Sequence, residues 1–552
     1  MQKKTMIHMI FNFDNLFSFN SRRSPLYAIH GVVGASQPLA AEAGLTILKK
    51  SGNAADAAVA TAAALNVVEP MSTGIGGDCF CLFYDNEKKK VFGLNGSGRS
   101  PKRLTLDFLR VEGITGKKIP SFSPHAITVP GTVAGWVDFL SEFGSMSIFE
   151  VLQPAIRLAE EGFPVTPIIS KMWDLGKSKL KKSKFGKELL VKKQTPKAGQ
   201  IFKNPNLALV FKEIASKGKS GFYKGWVANE IVKVISEAGG LLSEKDLINH
   251  RSEFVEPITT SYRGVDIYEI PPNGQGITAL LALNLLEHFN ISKMEPESEE
   301  YFHVLIECMR LAFADARYYV ADMQHVPVPV EELLSKKYAS IRHDLINLKK
   351  ATLDQKHGSP NGHSDTVYLA TADSDGNACS FINSNYESFG TGIIPEGTGF
   401  VLQNRGSCFT LIENHPNVIR PSARPYHTII PGMATKNGEL YACFGIMGGY
   451  NQPQAHVQAL TKLIDFNYDP QSALDALRFT ILGGSATGSV ALEEGVRKTT
   501  IKSLKKMGHN VTVVEGLGRS VVGNGQIIMR DPEHEVYIAG SDPRCDGCVI
   551  GY

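Results

Sequence analysis

The sequence predicts one layered α/β domain assembled from two sequence halves. Three observations carry this. Residues 130–340 are mostly helical in pattern, with apolar residues recurring at three- and four-residue spacing. From Thr366 onward the pattern turns to short alternating runs separated by glycine turns, which reads as strands. Neither half holds a complete set of elements to close a core alone, and no internal repeat divides the chain. At 552 residues with 43% hydrophobic and 20% charged positions, the composition is that of an ordinary globular protein with enough chain for a large core. A net charge of +3 gives no electrostatic ground for a nucleic-acid or membrane partner.

Taken in order, residues 1–26 form a loose arm. Its apolar patch, Met6 to Phe13, is interrupted by His8 and Asn12 and is too short for a secretory core. The arm holds one acidic residue, which leaves an organelle-targeting reading open. No run of about 18 apolar residues occurs, so a membrane span is not expected, and the expectation is a soluble, cytoplasmic protein.

Gly31 to Ser36 reads as a strand and Pro38 to Lys50 as a helix. Ala54 to Val68 is an alanine-rich helix, apolar on most faces and hence buried. Glu69-Pro70 stops it. Cys79 to Tyr84 and Lys90 to Asn95 pair as a hairpin. Helices follow at Thr132–Phe143, Ile148–Gly162, Thr278–His288 and Tyr301–Met323. The lysine-dense stretch from Lys171 to Lys197 suits a solvated surface or an acidic partner. Residues 349–363 have the composition of an exposed linker. Strands are then expected at Thr366–Ala372, Ala378–Asn383, Gly399–Gln403, Leu440–Ile446 and Ser520–Arg530, with helices at Gln452–Phe466 and Pro470–Arg478.

The chemistry centres on Asp365-Thr366. The polar linker ends just before it, and strand alternation starts at Thr366. A strand threonine is ordinary in itself. At this place, attack of its hydroxyl on the preceding carbonyl and hydrolysis of the ester would leave Thr366 at a new N-terminus. The freed α-amine, with an ordinary pKa of about 7.7–8.0, then serves as its base. Acyl transfer needs an oxyanion site. Phe444-Gly-Ile-Met-Gly-Gly449 ends an apolar strand in two glycines before a helix, and backbone N–H groups there suit that role. A plain strand-to-helix turn has the same pattern.

The eight cysteines are too sparse for a disulfide framework. Cys545-Asp-Gly-Cys548 is a lone C-x-x-C with no second pair to complete a zinc set. No metal cluster or phosphate loop is visible, so neither metal nor cofactor is expected.

Several further motifs bear on these readings. They are Gly52-Asn-Ala-Ala-Asp-Ala-Ala-Val-Ala60, Val68-Glu-Pro70 with Gly74-Ile-Gly-Gly77, Val129-Pro-Gly-Thr-Val-Ala-Gly135, Asp375-Gly-Asn377, Phe389-Gly-Thr-Gly392, Gly448-Gly449 and Ser541-Asp-Pro-Arg544. With these the chain resembles the γ-glutamyltransferases (glutathione hydrolases) from about Gly31 to Tyr552. The resemblance implies a four-layer αββα sandwich of the N-terminal-nucleophile hydrolases. It implies cleavage between Asp365 and Thr366, giving a large part, 27–365, and a small part, 366–552, that stay together in one domain. It places the nucleophile on Thr366, the oxyanion glycines on Gly448 and Gly449, and the hydroxyl that supports the nucleophile on Ser384. The implied activity is cleavage of a γ-glutamyl amide through an acyl-Thr366 ester, with transfer to water or an amine.

The departures lie in the part of the family pattern that binds substrate. The family's α-carboxylate arginine falls on Ser97, with Arg99 two residues on. Its asparagine falls on Tyr386, its glutamine and aspartate on Arg405 and Cys408, and its serine pair on His427-Thr428. The stretch Thr410 to Ala423, where the family carries a lid, is short. Losing the aspartate removes the partner of an α-ammonium, whereas Arg405 suits a carboxylate. This set resembles the bacterial γ-glutamyltransferase-like subgroup and the related cephalosporin acylases. The candidate substrate-binding residues are therefore Arg99, Arg405, Tyr386, His427 and Thr428. Ordinary ion pairs for the arginines and a structural role for His427 are the competing readings. The two alternatives to a γ-glutamyl enzyme are an acylase for glutaryl or other amides and an uncleaved scaffold.

Overall fold

The computed structural model describes residues 23–353 and 365–552. Residues 1–22 of the arm and most of the linker expected from the sequence lie outside the described residues, but the end of the arm is not loose: Arg23 Nη1 donates to Gly547 O at 2.7 Å and Leu26 pairs with Ala539 in a strand. Two seven-stranded sheets face each other. One carries, in spatial order, Cys548–Gly551, Val32–Ala35, Asp365–Ala372, Ala378–Tyr386, Asp78–Asp85, Lys90–Gly96 and Glu253–Val255. The other carries Leu26–Ala28, Val536–Ser541, Gly525–Asp531, Glu439–Ile446, Gly432–Lys436, Val265–Glu269 and Ile258–Tyr262. Both sheets interleave strands from before and after Thr366, which is why neither sequence half closes a core.

Between the sheets lie Phe80, Tyr368, Ile382, Met433, Cys443 and Ile528, all buried. Helices cover the outer faces. Pro38–Leu48, Ala54–Val68, Ile148–Glu161 and Pro205–Lys217 lie over the first sheet, and Ile277–Leu286, Glu299–Tyr319 and Gln452–Ile464 over the second. The architecture is therefore αββα. Every residue of Ala54–Val68 is buried. Its N-terminus is capped by Asn53, with Asp56 in a capping box. The carboxylate of Asp373 accepts the Ala54 N–H at 2.9 Å, tying this helix to the end of the strand that carries Thr366. Among the described residues, no helix is long and apolar enough to cross a membrane.

Three expectations change. Gly399–Gln403 is not a strand. Its backbone bonds run to turns, Leu402 N–H to Ile393 O at 2.9 Å and Gln403 N–H to Gly76 O at 3.0 Å, rather than to a ladder. Ser520–Arg530 divides into a 3₁₀ segment, Gly516–Val522, and a strand, Gly525–Asp531, because Gly523 at φ 71° breaks the run. The helix expected over Tyr301–Met323 runs Glu299–Tyr319, capped by Ser298. Within the lysine-dense stretch two short helices, Pro167–Leu175 and Lys177–Lys182, bury Trp173 and Leu180 and leave most of the ammonium groups at the surface.

Candidate active site

Thr366 sits near the start of Asp365–Ala372, between Val32–Ala35 and Ala378–Tyr386. The strand starts at Asp365, so the ladder runs across the proposed scissile bond. Asp365 pairs with Tyr386 and Val367 with Asn383. Ser384 and Asn385 together therefore oppose Thr366, a bulge that re-aims side chains. The result is a contact between hydroxyls: Thr366 Oγ1 lies 3.0 Å from Ser384 Oγ. Ser384 Oγ also accepts the Tyr386 N–H at 2.8 Å. Gly77 makes the bulge possible from behind, since a Cβ there would stand 2.2 Å from the Ser384 carbonyl oxygen.

Arg405 reaches the same hydroxyl. One terminal nitrogen, Nη2, lies 3.5 Å from Ser384 Oγ, and the other, Nη1, donates to Thr428 Oγ1 at 2.7 Å. Its guanidinium stacks 4.4 Å from the Tyr386 ring centre. Tyr386 adopts φ 76°, a strained conformation for a bulky residue, at the position where the strand ends. Thr366, Ser384, Arg405 and Thr428 are all fully buried.

The glycine pair follows Glu439–Ile446 and precedes Gln452–Ile464. Gly448 has φ 129° and Gly449 φ 59°, the first being open to glycine alone among ordinary residues. Among the described residues no acceptor takes the N–H of either. The loop is pinned by its carbonyl side: Gln275 Nε2 donates to Gly449 O at 2.8 Å and to Thr428 O at 2.6 Å. A cleft of about 1120 Å³ opens beside it, walled by Met447, Gly448, Tyr450 and Asn451. Thr366, Ser384 and Arg405 do not line this cleft, and of the candidate residues only Gly448 does.

The Gamma-glutamyltranspeptidase family model matches residues 40–552. The chain belongs to the gamma-glutamyltranspeptidase family. It is 38% identical over 518 residues to the glutathione hydrolase-like YwrD proenzyme of Bacillus subtilis, covering 93% of this chain and 97% of that protein. It is 31% identical to the oxamate amidohydrolase proenzyme of Klebsiella pneumoniae over 537 residues, 95% of this chain and 98% of the relative. Among solved structures it is similar to a cephalosporin acylase from Bacillus halodurans. That match has a TM-score of 0.91 and 41% identity, and covers 97% of this chain and 98% of the other.

For a gamma-glutamyltranspeptidase family member, the remaining sequence candidates divide clearly. Thr428 is hydrogen-bonded to Arg405 beside Ser384. His427 lies beside it in the chain, but both its ring nitrogens are taken. Nε2 is 3.0 Å from Asp78 Oδ2, and Nδ1 accepts the Ile429 N–H at 3.4 Å. Burial, then the Arg405 charge, pushes its pKa down to about 3 against the pull of Asp78. The imidazole is thus neutral and donates to Asp78. Arg99 turns instead to Glu253 and Gln324, and Glu253 also holds Arg424. None of the contacts that reach Thr366, Ser384 or Arg405 involves Arg99.

The sequence reading missed three features. Asn385, fully buried, has neither amide atom hydrogen-bonded among the described residues, and only the bulge reveals that its position in the strand is opposite Thr366. Gln275 lies far from the glycine pair in sequence and is read only through its bonds. His303, Glu307 and His509 converge, with possible ligand atoms within 4.8 Å of one another, although nothing in their spacing suggests it. Hydrogen bonds run through the cluster, His303 Nδ1 to His509 Nε2 at 2.7 Å, His303 Nε2 to Asn347 O at 2.8 Å, and Thr352 N–H to Glu307 Oε2 at 2.9 Å, while His509 Nδ1 and Glu307 Oε1 are buried without a hydrogen-bond partner among the described residues. Cys545 and Cys548 are free thiols, and burial raises the pKa of both.

Proposed function

We propose that this protein is a self-processing amide hydrolase whose substrate acyl group ends in a carboxylate held by Arg405. In processing, the Thr366 hydroxyl attacks the Asp365 carbonyl. The C–N bond breaks as the ester forms, and water releases the Asp365 carboxylate. In turnover the freed α-amine takes the hydroxyl proton as Thr366 Oγ1 attacks the substrate amide. The N–H groups of Gly448 and Gly449 receive the oxyanion, each such donor contributing about 3 kcal/mol to lowering the barrier. The proton passes to the leaving amine, which departs through the adjoining cleft. Water or an amine then takes the acyl group from Thr366.

The observation that carries the acyl specificity is a charge without a counter-ion. Of the buried arginines Arg310, Arg405, Arg424, Arg478 and Arg519, four face a carboxylate: Glu307, Glu253, Asp542 and Glu493 respectively. Arg405 faces none among the described residues. A buried cation is costly unless it is paired, and a substrate carboxylate would complete it. The proenzyme names of the relatives support the processing step, and glutathione and oxamate in those names both join an amide to a carboxylate.

γ-Glutamyl amides are a second reading, favoured by the family match. Against it stands the state of the nearby acids. Asp78, fully buried, is engaged by His427, Gly98, Gly131 and Gln403, and Glu387 already accepts from Ser121 and Asn404 and lies 3.7 Å from the Lys179 ammonium, so neither stands as an unpaired acid for an α-ammonium. Purified protein on a denaturing gel should give two pieces, the smaller beginning at Thr366 by N-terminal sequencing. It should hydrolyse carboxyacyl anilides in preference to acetyl anilide. One intact band after long incubation would overturn the proposal and leave a scaffold.

A further inference from the structure

The position of Arg405 also sets a length. Its guanidinium is separated from the nucleophilic oxygen by one hydroxyl, with Ser384 Oγ 3.0 Å from Thr366 Oγ1 and 3.5 Å from Arg405 Nη2. Both ends of that span are fixed. Thr366 is held in the sheet. Arg405 is anchored by Thr428 through Nη1 and by the Tyr386 ring. Its own backbone cannot withdraw far, because Gly406 packs so closely that a Cβ there would stand 2.7 Å from the Ala126 carbonyl oxygen.

The free edge of the guanidinium is defined as well. Nη1 is committed to Thr428. Nε is buried with no hydrogen-bond partner among the described residues, and Nη2 has only its long contact to Ser384 and nothing shorter. The Nε–Nη2 edge is the side-on fork that matches a carboxylate with two parallel hydrogen bonds.

A substrate must therefore place its scissile carbonyl carbon at bonding distance from Thr366 Oγ1 and its carboxylate on this edge. The covalent bond at one end and a charge-assisted hydrogen bond of about 2.8 Å at the other take up most of the span. Each methylene between the two carboxyl carbons adds a further bond of about 1.5 Å. Resting on the function proposed above, we infer that Ser384 and Arg405 act as a ruler selecting amides of short dicarboxylic acids. The acyl group is oxalyl, malonyl or succinyl, with glutaryl and γ-glutamyl chains too long to lie in register.

The test is a homologous series of 4-nitroanilides carrying oxalyl, malonyl, succinyl, glutaryl and γ-glutamyl groups, with acetyl as the uncharged reference. Fully processed wild-type protein should show its highest kcat/KM within the first three, at least about tenfold above glutaryl and γ-glutamyl. Arg405→Gln should flatten the series through KM, and Arg405→Lys, which keeps charge without the fork, should restore part of the preference. Equal or better turnover of glutaryl or γ-glutamyl anilide would overturn the ruler while leaving the carboxylate reading standing. Processed protein that turns over acetyl anilide as well as any carboxyacyl anilide would overturn both. The wild-type series decides the matter even if an Arg405 variant fails to fold.

Discussion

The strand that carries Thr366 and the loop that carries Arg405 meet through one serine hydroxyl, yet they are built on different terms. Thr366 is placed by backbone: an inner strand, a bulge opposite it, and a glycine that lets another loop close in behind. The oxyanion candidates are likewise backbone N–H groups on a glycine pair. Arg405 is placed by side chains, with Thr428 on one nitrogen and Tyr386 beneath the plane. Its segment, Arg405–Cys408, is a single 3₁₀ turn between loops. Under the function proposed above, reaction chemistry would rest on the ladder, and recognition on side chains carried at strand ends and loops. No carboxylate among the described residues pairs with Arg405, on the side where the proposed substrate would bind.

If that division is right, the largest effects come from the backbone-held side. Thr366→Ala removes the nucleophile from both processing and turnover. We expect a single uncut chain and a loss of activity of more than about 10⁴-fold. The acyl pocket should remain intact, as Arg405 does not depend on the threonine hydroxyl for its own contacts. Two fragments from this variant would place the processing nucleophile elsewhere.

Gly448→Ala is next. A Cβ at φ 129° forces the peptide to turn, and with it the N–H groups that receive the oxyanion. The expected outcome is a fall in kcat of about 10²–10³-fold with KM little changed. A rise in KM at constant kcat would assign the glycine pair to binding and dissolve the contrast with the Arg405 side.

The same division explains what was legible in the sequence. Thr366 is marked by the linker that ends before it and the strand that starts at it, and Gly448 and Gly449 by a glycine pair between strand and helix, whereas Ser384 is reached only through the family resemblance. The strands at Ala378–Tyr386 and Glu439–Ile446 are similarly marked by alternation. The roles of Arg405, Tyr386 and His427 depend on which side chains meet in the fold, and no periodicity encodes that even where the partners Ser384 and Thr428 lie only 21 and 23 residues from Arg405. Arg405 stands out only because no carboxylate among the described residues pairs with it, and an absence of contact leaves no trace in a sequence. His427 has the opposite history: its partner, Asp78, is 349 residues away. Gly399–Gln403 looked like a strand by its composition, but its backbone bonds go to glycine turns that no periodicity encodes.

His427 offers the smallest and most exacting test, because it sits at the join between the two sides. Its imidazole is held neutral down to about 3 by burial and by the Arg405 charge, whereas in the unfolded chain it protonates near 6.5. Between those values the unfolded state holds the extra proton. Stability rises with pH wherever that is so, so this group's contribution is complete above about 6.5 and is lost as pH falls toward 3. The loss is about 1.4 kcal/mol per pH unit. His427→Gln removes the titration while retaining an amide that can donate to Asp78. The wild type should be the more stable at pH 7, and the gap should close by about 2 kcal/mol between pH 6.5 and 5, read from urea midpoints. Parallel curves for the two proteins would mean that the imidazole is not held neutral. Arg405→Gln sharpens the same measurement: with one of the opposing charges gone the imidazole protonates more readily in the fold, so the lower edge of the window moves up. The acyl pocket's charge would then be visible in stability without any substrate present.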